Sequence, residues 1–231
     1  MEDRRPTRHD GAYPLPLDRH PMNILHVGAT GLVGRLVLAR LLEAPQVAQL
    51  VAPTRRPLGI AHPRLLNPVL DFDALPADAD WWAVDAVVCT LGTTIADAGS
   101  RAAFRRVDHD YPLAVARLAR RHGARAYALN SAMGANPRSS IFYNRVKGEL
   151  EDALAALDYP SLVLVRPGLI DGERERPRAG EGYALAVSRV LRPFLPRKWR
   201  PSRAERIADA LVDAALHPPP GRSVVEADRL A

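Results

Sequence analysis

The chain has 231 residues, 47% hydrophobic and 25% charged, which suits one globular domain or one domain with a small appendage. No run approaches the roughly 18 apolar residues needed to cross a bilayer, and the polar, proline-rich N-terminus lacks the apolar core of a signal peptide. The single cysteine, Cys89, excludes an internal disulfide and a cysteine-based metal cluster, and a net charge of +6 spread over an arginine-rich chain licenses only non-specific attraction to nucleic acid.

Residues 1–21 hold Pro6, Pro14, Pro16 and Pro21 among mixed charges and are expected to form a flexible tail, with Met22 an alternative start. A short apolar run at 23–27 reads as a strand. The turn Gly28-Ala-Thr30-Gly31-Leu32-Val33-Gly34 follows at once, and 31–42 carries apolar residues at helical spacing. Gly28 permits a tight turn, Gly31 lets backbone approach a pyrophosphate, and Gly34 allows close helix–sheet packing. The helix start then aims free N–H groups at the anion. The spacing is G-x-x-G-x-x-G rather than the G-x-G-x-x-G of the dehydrogenase fingerprint.

Further strands are expected at 47–52, 69–70, 86–90, 126–129 and 162–165, with helices at 101–121 and 141–157 between them. Beyond Arg166-Pro167-Gly168 come a Gly/Arg/Glu loop at 171–182, helices at 183–195 and 203–216, and a last strand near 223–226. The alternation predicts an α/β fold, a doubly wound parallel sheet of Rossmann type with a small C-terminal substrate cap. Residues 22–231 form the single NAD(P)-binding domain, within which 171–231 cap the carboxyl edge of the sheet.

The cofactor is read from the end of the second strand. An acidic residue there would bind a ribose 2′-hydroxyl and select NAD. Ala52-Pro-Thr-Arg55-Arg56 holds no carboxylate, and two adjacent guanidiniums suit a 2′-phosphate. NADP(H) is therefore favoured over NAD(H). Asp71 and Phe72, after the third strand, are placed to meet an adenine through a carboxylate and a ring or backbone edge.

Tyr143 and Lys147 carry the chemistry. The chain has only two lysines, Lys147 and Lys198, and one stands four residues after a tyrosine. On a helix these positions share a face, so an ammonium sits near a phenol and favours its ionised form. The remaining tyrosines lack such a partner, and the seven histidines show no metal-ligand spacing, so no metal is expected.

Taken in order, the glycine turn, Asp71-Phe72, Ser131, Tyr143-x-x-x-Lys147 and Arg166-Pro-Gly168 resemble the short-chain dehydrogenase/reductase superfamily in its atypical branch. Cys89-Thr-Leu-Gly-Thr-Thr94, Arg106-Val-Asp-His-Asp-Tyr111, Asn144-Arg-Val-Lys-Gly-Glu149 and the Arg55-Arg56 pair resemble more closely the Tat-interactive-protein-like NADPH-binding oxidoreductases. The resemblance implies that Leu91, Gly92 and Thr93 line the cofactor and that Pro167, Leu169 and Ile170 flank the nicotinamide. It implies that Arg174 and Arg178 close over cofactor or substrate, and that Asp108 stands where many relatives carry an asparagine.

Ser131, just after the fifth strand, reaches the same crevice as Tyr143. The two hydroxyls would hold a carbonyl, Tyr143 would pass the proton, and Lys147 would also bond the ribose. The resulting expectation is an NADP(H)-dependent oxidoreductase acting on a small carbonyl or alcohol. Alternatives are an NADPH-binding regulatory or sensor protein and a nucleotide-sugar epimerase-like enzyme. The protein is expected to be cytoplasmic, monomeric or homodimeric, without a membrane span or a specific nucleic-acid partner, although Arg189, Arg192, Arg197, Lys198, Arg200, Arg203 and Arg206 form a basic cluster.

Overall fold

The structure, a computed structural model, describes residues 21–171 and 200–231. Strands β1 (Met22–Val27), β2 (Val47–Val51), β3 (Leu65–Leu66), β4 (Ala86–Cys89), β5 (Ala126–Asn130) and β6 (Ser161–Arg166) alternate with helices α1 (Leu32–Glu43), α2 (Ile95–Ala98), α3 (Arg101–Arg105), α4 (Tyr111–Arg121) and α5 (Phe142–Ala155). The pair β7 (Ile170–Asp171) and β8 (Ser202–Arg203), helix α6 (Ala204–Leu216) and strand β9 (Gly221–Glu226) complete the described chain. Seven strands form one parallel sheet in the order β3-β2-β1-β4-β5-β6-β9.

Strands β4, β5 and β6 read as nearly continuous apolar runs because both faces of the sheet are covered. Val33, Val37 and Leu41 of α1 and Ile207 and Leu211 of α6 pack on one face. Leu113 and Val115 of α4, Leu150 and Leu154 of α5, and the buried Trp82 and Tyr127 pack on the other. The order of strand addition reverses between β1 and β4, and an open α/β sheet leaves a ligand crevice at that point, outside the carboxyl ends of its strands.

Three expectations change in detail. The third strand lies at 65–66, not 69–70. Pro68 has no N–H for a sheet ladder, and Val69 keeps only an isolated bridge to Thr54. The helix expected at 101–121 is continuous but widens into a π-turn over Arg106–Asp110. Of the stretch assigned to a cap, the described residues 200–231 belong largely to the Rossmann body. Strand β9 pairs with β6 from Ser161↔Gly221 to Arg166↔Glu226, and α6 shares the core with α1. The N-terminal tail, the helix at 183–195, Arg174, Arg178, Arg189, Arg192, Arg197 and Lys198 lie outside the described residues.

Gly148 on α5 has a tertiary reason. A Cβ there would overlap the backbone of Asn136 and Pro137, so the β5–α5 loop presses directly on the helix. The Asn136 N–H also donates to the Asn144 carbonyl at 3.0 Å, which fixes that loop beside Tyr143.

His26 in β1 is fully buried, with Nε2 3.1 Å from Thr90 Oγ1. Burial lowers its pKa from 6.5 to about 3, so the ring folds neutral. An unfolded chain takes up a proton near 6.5 that the folded state refuses until about 3. Stability is therefore lost as pH falls through that window, with a slope approaching about 1.4 kcal/mol per pH unit. Urea denaturation of wild type and His26→Gln at steps between pH 7 and 4 checks this. The variant should lose that part of the acid slope, and parallel curves for the two proteins would refute it.

Candidate active site

The glycine turn brings backbone against backbone at the switch point. Gly28 has φ +95°, and a Cβ on it would lie 2.5 Å from the Thr90 carbonyl carbon and 2.6 Å from Leu91 N. A Cβ on Gly34 would overlap the Gly28 carbonyl oxygen and approach Thr90 Oγ1 to 2.9 Å. Gly31 sits at the N-cap of α1 with no side-chain cap, so the first N–H groups of the helix are left for a ligand.

A cleft of about 850 Å³ opens there. Thr30 to Gly34 form one wall, Leu91, Gly92 and Thr93 a second, and Pro167, Leu169 and Ile170 a third, with Ser131, Tyr143 and Lys147 facing the same space. These residues were expected in the site and the fold brings them together. The bare helix start and a turn that excludes side chains fit a dinucleotide pyrophosphate.

Other candidates lie apart. Arg55 and Arg56 are exposed on the loop after β2 and do not line the cleft. That loop is held by Asn67, which donates to the Ala52 carbonyl at 2.6 Å and to Thr54 Oγ1 at 2.7 Å and accepts from Leu58 N–H at 2.9 Å. The Phe72 ring is buried, 5.6 Å from Tyr111, so it is core rather than a cover for adenine. Asp71 accepts from Asp73 N–H at 2.9 Å.

Lys147 is 3% exposed, and its Nζ lies 2.8 Å from Oδ1 of Asp108, itself 1% exposed. The other carboxylate oxygen accepts from Thr93 N–H at 2.8 Å. Burial pushes the lysine pKa down, but the Asp108 carboxylate, with Tyr143 and Cys89 near, more than offsets this and leaves it above the ordinary lysine range. The Tyr143 ring packs 5.6 Å from the fully buried Phe104 of α3.

Ser131 lines the cleft but does not offer its hydroxyl hydrogen to it. Its Oγ donates to Glu151 Oε1 at 2.5 Å. Arg166 grips both oxygens of that buried carboxylate, Nε at 3.0 Å and Nη2 at 2.5 Å. The expectation that Ser131 donates to a substrate carbonyl is corrected accordingly: the neighbouring helix contains a carboxylate that accepts more strongly than a neutral carbonyl.

The cleft residues missed include Asn130, Arg35 and Met133. Asn130 ends β5 with its Oδ1 buried and unpartnered. Arg35 reaches the cleft from the first turn of α1, and Met133 lines it from the β5–α5 loop. The position of Arg35, directly after the last glycine of the turn, was the signal available for it. Cys89 behaves as expected for a buried strand thiol, with burial pushing its pKa up. Among the described residues no group of His, Cys, Asp and Glu could hold a metal ion, and no helix is long and apolar enough to cross a membrane.

Curated relatives match most of the chain. A protein of Eremothecium gossypii is 37% identical over 171 residues, covering 72% of this chain and 74% of its own. One from Coccidioides immitis is 33% identical over 207 residues, covering 82% and 84%, and one from Aspergillus clavatus is 36% identical over 208, covering 84% and 87%. All three are named FMP52, mitochondrial. The chain belongs to the FMP52 family. No protein-family model matches it.

The names of these FMP52 relatives overturn the cytoplasmic expectation and point to mitochondria. That no helix among the described residues is long and apolar enough to cross a membrane does not separate cytosol from the mitochondrial interior.

Among solved structures, MoeE5 with UDP-glucuronic acid and NAD superposes with a TM-score of 0.71 at 17% identity, covering 89% of this chain and 76% of that one. UDP-glucose 4-epimerase of Thermotoga maritima, with UDP-glucose, gives 0.64 at 16%, covering 89% and 77%. The PhqB reductase domain of Penicillium fellutanum gives 0.61 at 17%, covering 89% and 67%. The FMP52-family chain thus shares the Rossmann-type fold of these proteins.

Ser131→Ala removes one of the bonds to Glu151 and leaves the Arg166 grip intact. The expected cost is about 2 kcal/mol of stability, read by urea denaturation, with turnover kept within about tenfold of wild type, far milder than loss of a proton-transfer group. A loss of turnover as deep as that of Tyr143→Phe would restore Ser131 as a substrate-holding hydroxyl.

Proposed function

We propose that the protein is an NADP(H)-dependent oxidoreductase of the atypical short-chain type, moving hydride to or from a small carbonyl or alcohol. The observation that carries this reading is the meeting of the glycine turn, Tyr143 and Lys147 in one cleft. Within the superfamily, the motifs around Cys89, Arg106 and Asn144 favour the Tat-interactive-protein-like subtype.

The first turn of α1 binds the pyrophosphate with backbone N–H groups. Arg55 and Arg56 stand exposed after β2, where a 2′-phosphate would need cations and where no carboxylate selects NAD. Arg35 adds a guanidinium at the cleft wall. The loop after β4 and Pro167–Gly168 would hold a nicotinamide, which would supply or take up the hydride exchanged with the substrate carbon. Tyr143 gives its phenolic proton to the carbonyl oxygen in reduction and recovers it in oxidation. Lys147 donates to the ribose hydroxyls, which holds the reacting carbon near the phenol. The partnerless Asn130 Oδ1 provides an acceptor in the same cleft for a ligand N–H or O–H. Met133 and Leu169 provide its apolar side.

Fluorescence titration with NADPH and NADH, followed by a carbonyl panel watched at the NADPH absorbance, tests the reading. Tyr143→Phe should lower turnover by at least about 100-fold while NADPH affinity stays near wild type. Replacing both Arg55 and Arg56 by alanine should cut the preference for NADPH over NADH by about tenfold or more, worth about 1.4 kcal/mol. Tighter binding of NADH by the wild type, or full turnover in Tyr143→Phe, would sink the proposal.

A further inference from the structure

We propose that Asp108 is a positioning residue: it holds Lys147 Nζ with one carboxylate oxygen, holds the loop after β4 through Thr93 N–H with the other, and keeps the buried lysine in its charged, cofactor-binding form. This deepens the reductase reading and rests on it for the role of Lys147.

The first support is geometry. Asp108 lies in the π-turn that interrupts an otherwise regular helix from 101 to 121, and such turns are frequent at functional sites. Its two oxygens reach different elements, Lys147 of α5 at 2.8 Å and Thr93 N–H at 2.8 Å. A Cβ on Gly92 would lie 3.4 Å from Asp108 Oδ1 and 3.8 Å from Lys147 Nζ, so the loop that would carry the nicotinamide runs directly over the pair. One carboxylate thus ties the lysine to that loop.

The second support is energetic. Burying two charges costs several kcal/mol each, and a well-packed apolar pair is often at least as stable. Folding alone therefore gives little reason for a carboxylate and an ammonium, both under 5% exposed, at the edge of a cleft. The ammonium is also one of only two in a chain that otherwise uses arginine.

The groups facing Lys147 come from three elements. They are Asp108 from the π-turn, Tyr143 one turn earlier on α5, and Cys89 on β4. Behind Cys89 lies Tyr127 of β5, and burial pushes both the thiol and this phenol up, so both are neutral. His109, beside Asp108, turns to Asp110 at 2.8 Å. The carboxylate that balances Lys147 is therefore Asp108. Without it, burial alone would drive the ammonium toward the neutral amine, which no longer presents a full set of charged donors to ribose hydroxyls.

Asp108→Asn tests this, because it keeps an acceptor for Thr93 N–H and removes only the charge. NADPH affinity by fluorescence, and kcat/KM on the best carbonyl of the panel, are followed from about pH 6 to about pH 10, the range in which an uncompensated buried lysine is brought to titrate. The wild type should hold its affinity across this range. Asp108→Asn should bind like wild type at the acid end and lose about tenfold or more toward the alkaline end, with the alkaline limb of kcat/KM displaced by at least about one pH unit. Asp108→Glu restores the charge and should abolish the alkaline loss, even if its affinity is lower at every pH.

Equal pH dependence of NADPH affinity in wild type, Asp108→Asn and Asp108→Glu overturns the inference, as does a loss in Asp108→Asn that is uniform with pH. Should the wild type reduce no carbonyl, the reductase reading fails while the affinity profiles still decide the role of Asp108. Turnover by the wild type with no displaced limb in Asp108→Asn leaves the reductase reading standing and removes Asp108 from it.

Discussion

Backbone packed on backbone at the switch point is the constraint on which the site depends. Gly28 and Gly34 have no side chain because the loop after β4 and the turn itself occupy the space a Cβ would need. That contact places Leu91 to Thr93 beside the start of α1, so two walls of one cleft are set by the same few atoms. Gly148 repeats the device on α5, where the β5–α5 loop presses on the helix that carries Tyr143 and Lys147. Close approach at these glycines leaves the cleft wall little room to move.

Two buried charge networks flank this wall, and each ties a helix to the end of a strand. Asp108 joins the π-turn to Lys147 and to the β4 loop. Glu151 joins α5 to Ser131 after β5 and to Arg166 at the end of β6. Either pair left half-made would strand a charge in the interior at a cost of about 3–5 kcal/mol. Helix α5 is therefore held from both sides of the residues it presents, which an apolar contact of equal area would do with less directional precision.

Much of this was legible in the chain. The glycine turn directly after the first strand, and the Tyr143–Lys147 spacing, follow from local rules and were placed together by the fold. What was not legible depended on partners distant in sequence. Phe72 looked available for adenine, yet its ring is taken up by Tyr111 in the core. Ser131 looked available for a carbonyl, yet Glu151, twenty residues away, takes its hydrogen. The third strand was misplaced because Val69 and Leu70 are apolar while Pro68 stops the ladder before them. Residues 200–231 were read as part of a cap because the chain changes character after Arg166-Pro-Gly168, whereas β9 and α6 complete the sheet and its helical layer.

The sequence by itself determined the alternation of strand and helix, the glycine turn and the Tyr143–Lys147 pairing, because each rests on periodicity or spacing over a few residues. Only the tertiary structure decided which polar groups stay free for a ligand. Ser131 and Asp108 both carry oxygens suited to a substrate, but long-range neighbours commit the hydroxyl hydrogen of one to Glu151 and both carboxylate oxygens of the other to Lys147 and Thr93. Asn130 keeps a buried oxygen without a partner. In a buried site a hydrogen bond goes to the strongest partner within reach, and reach is a property of the fold.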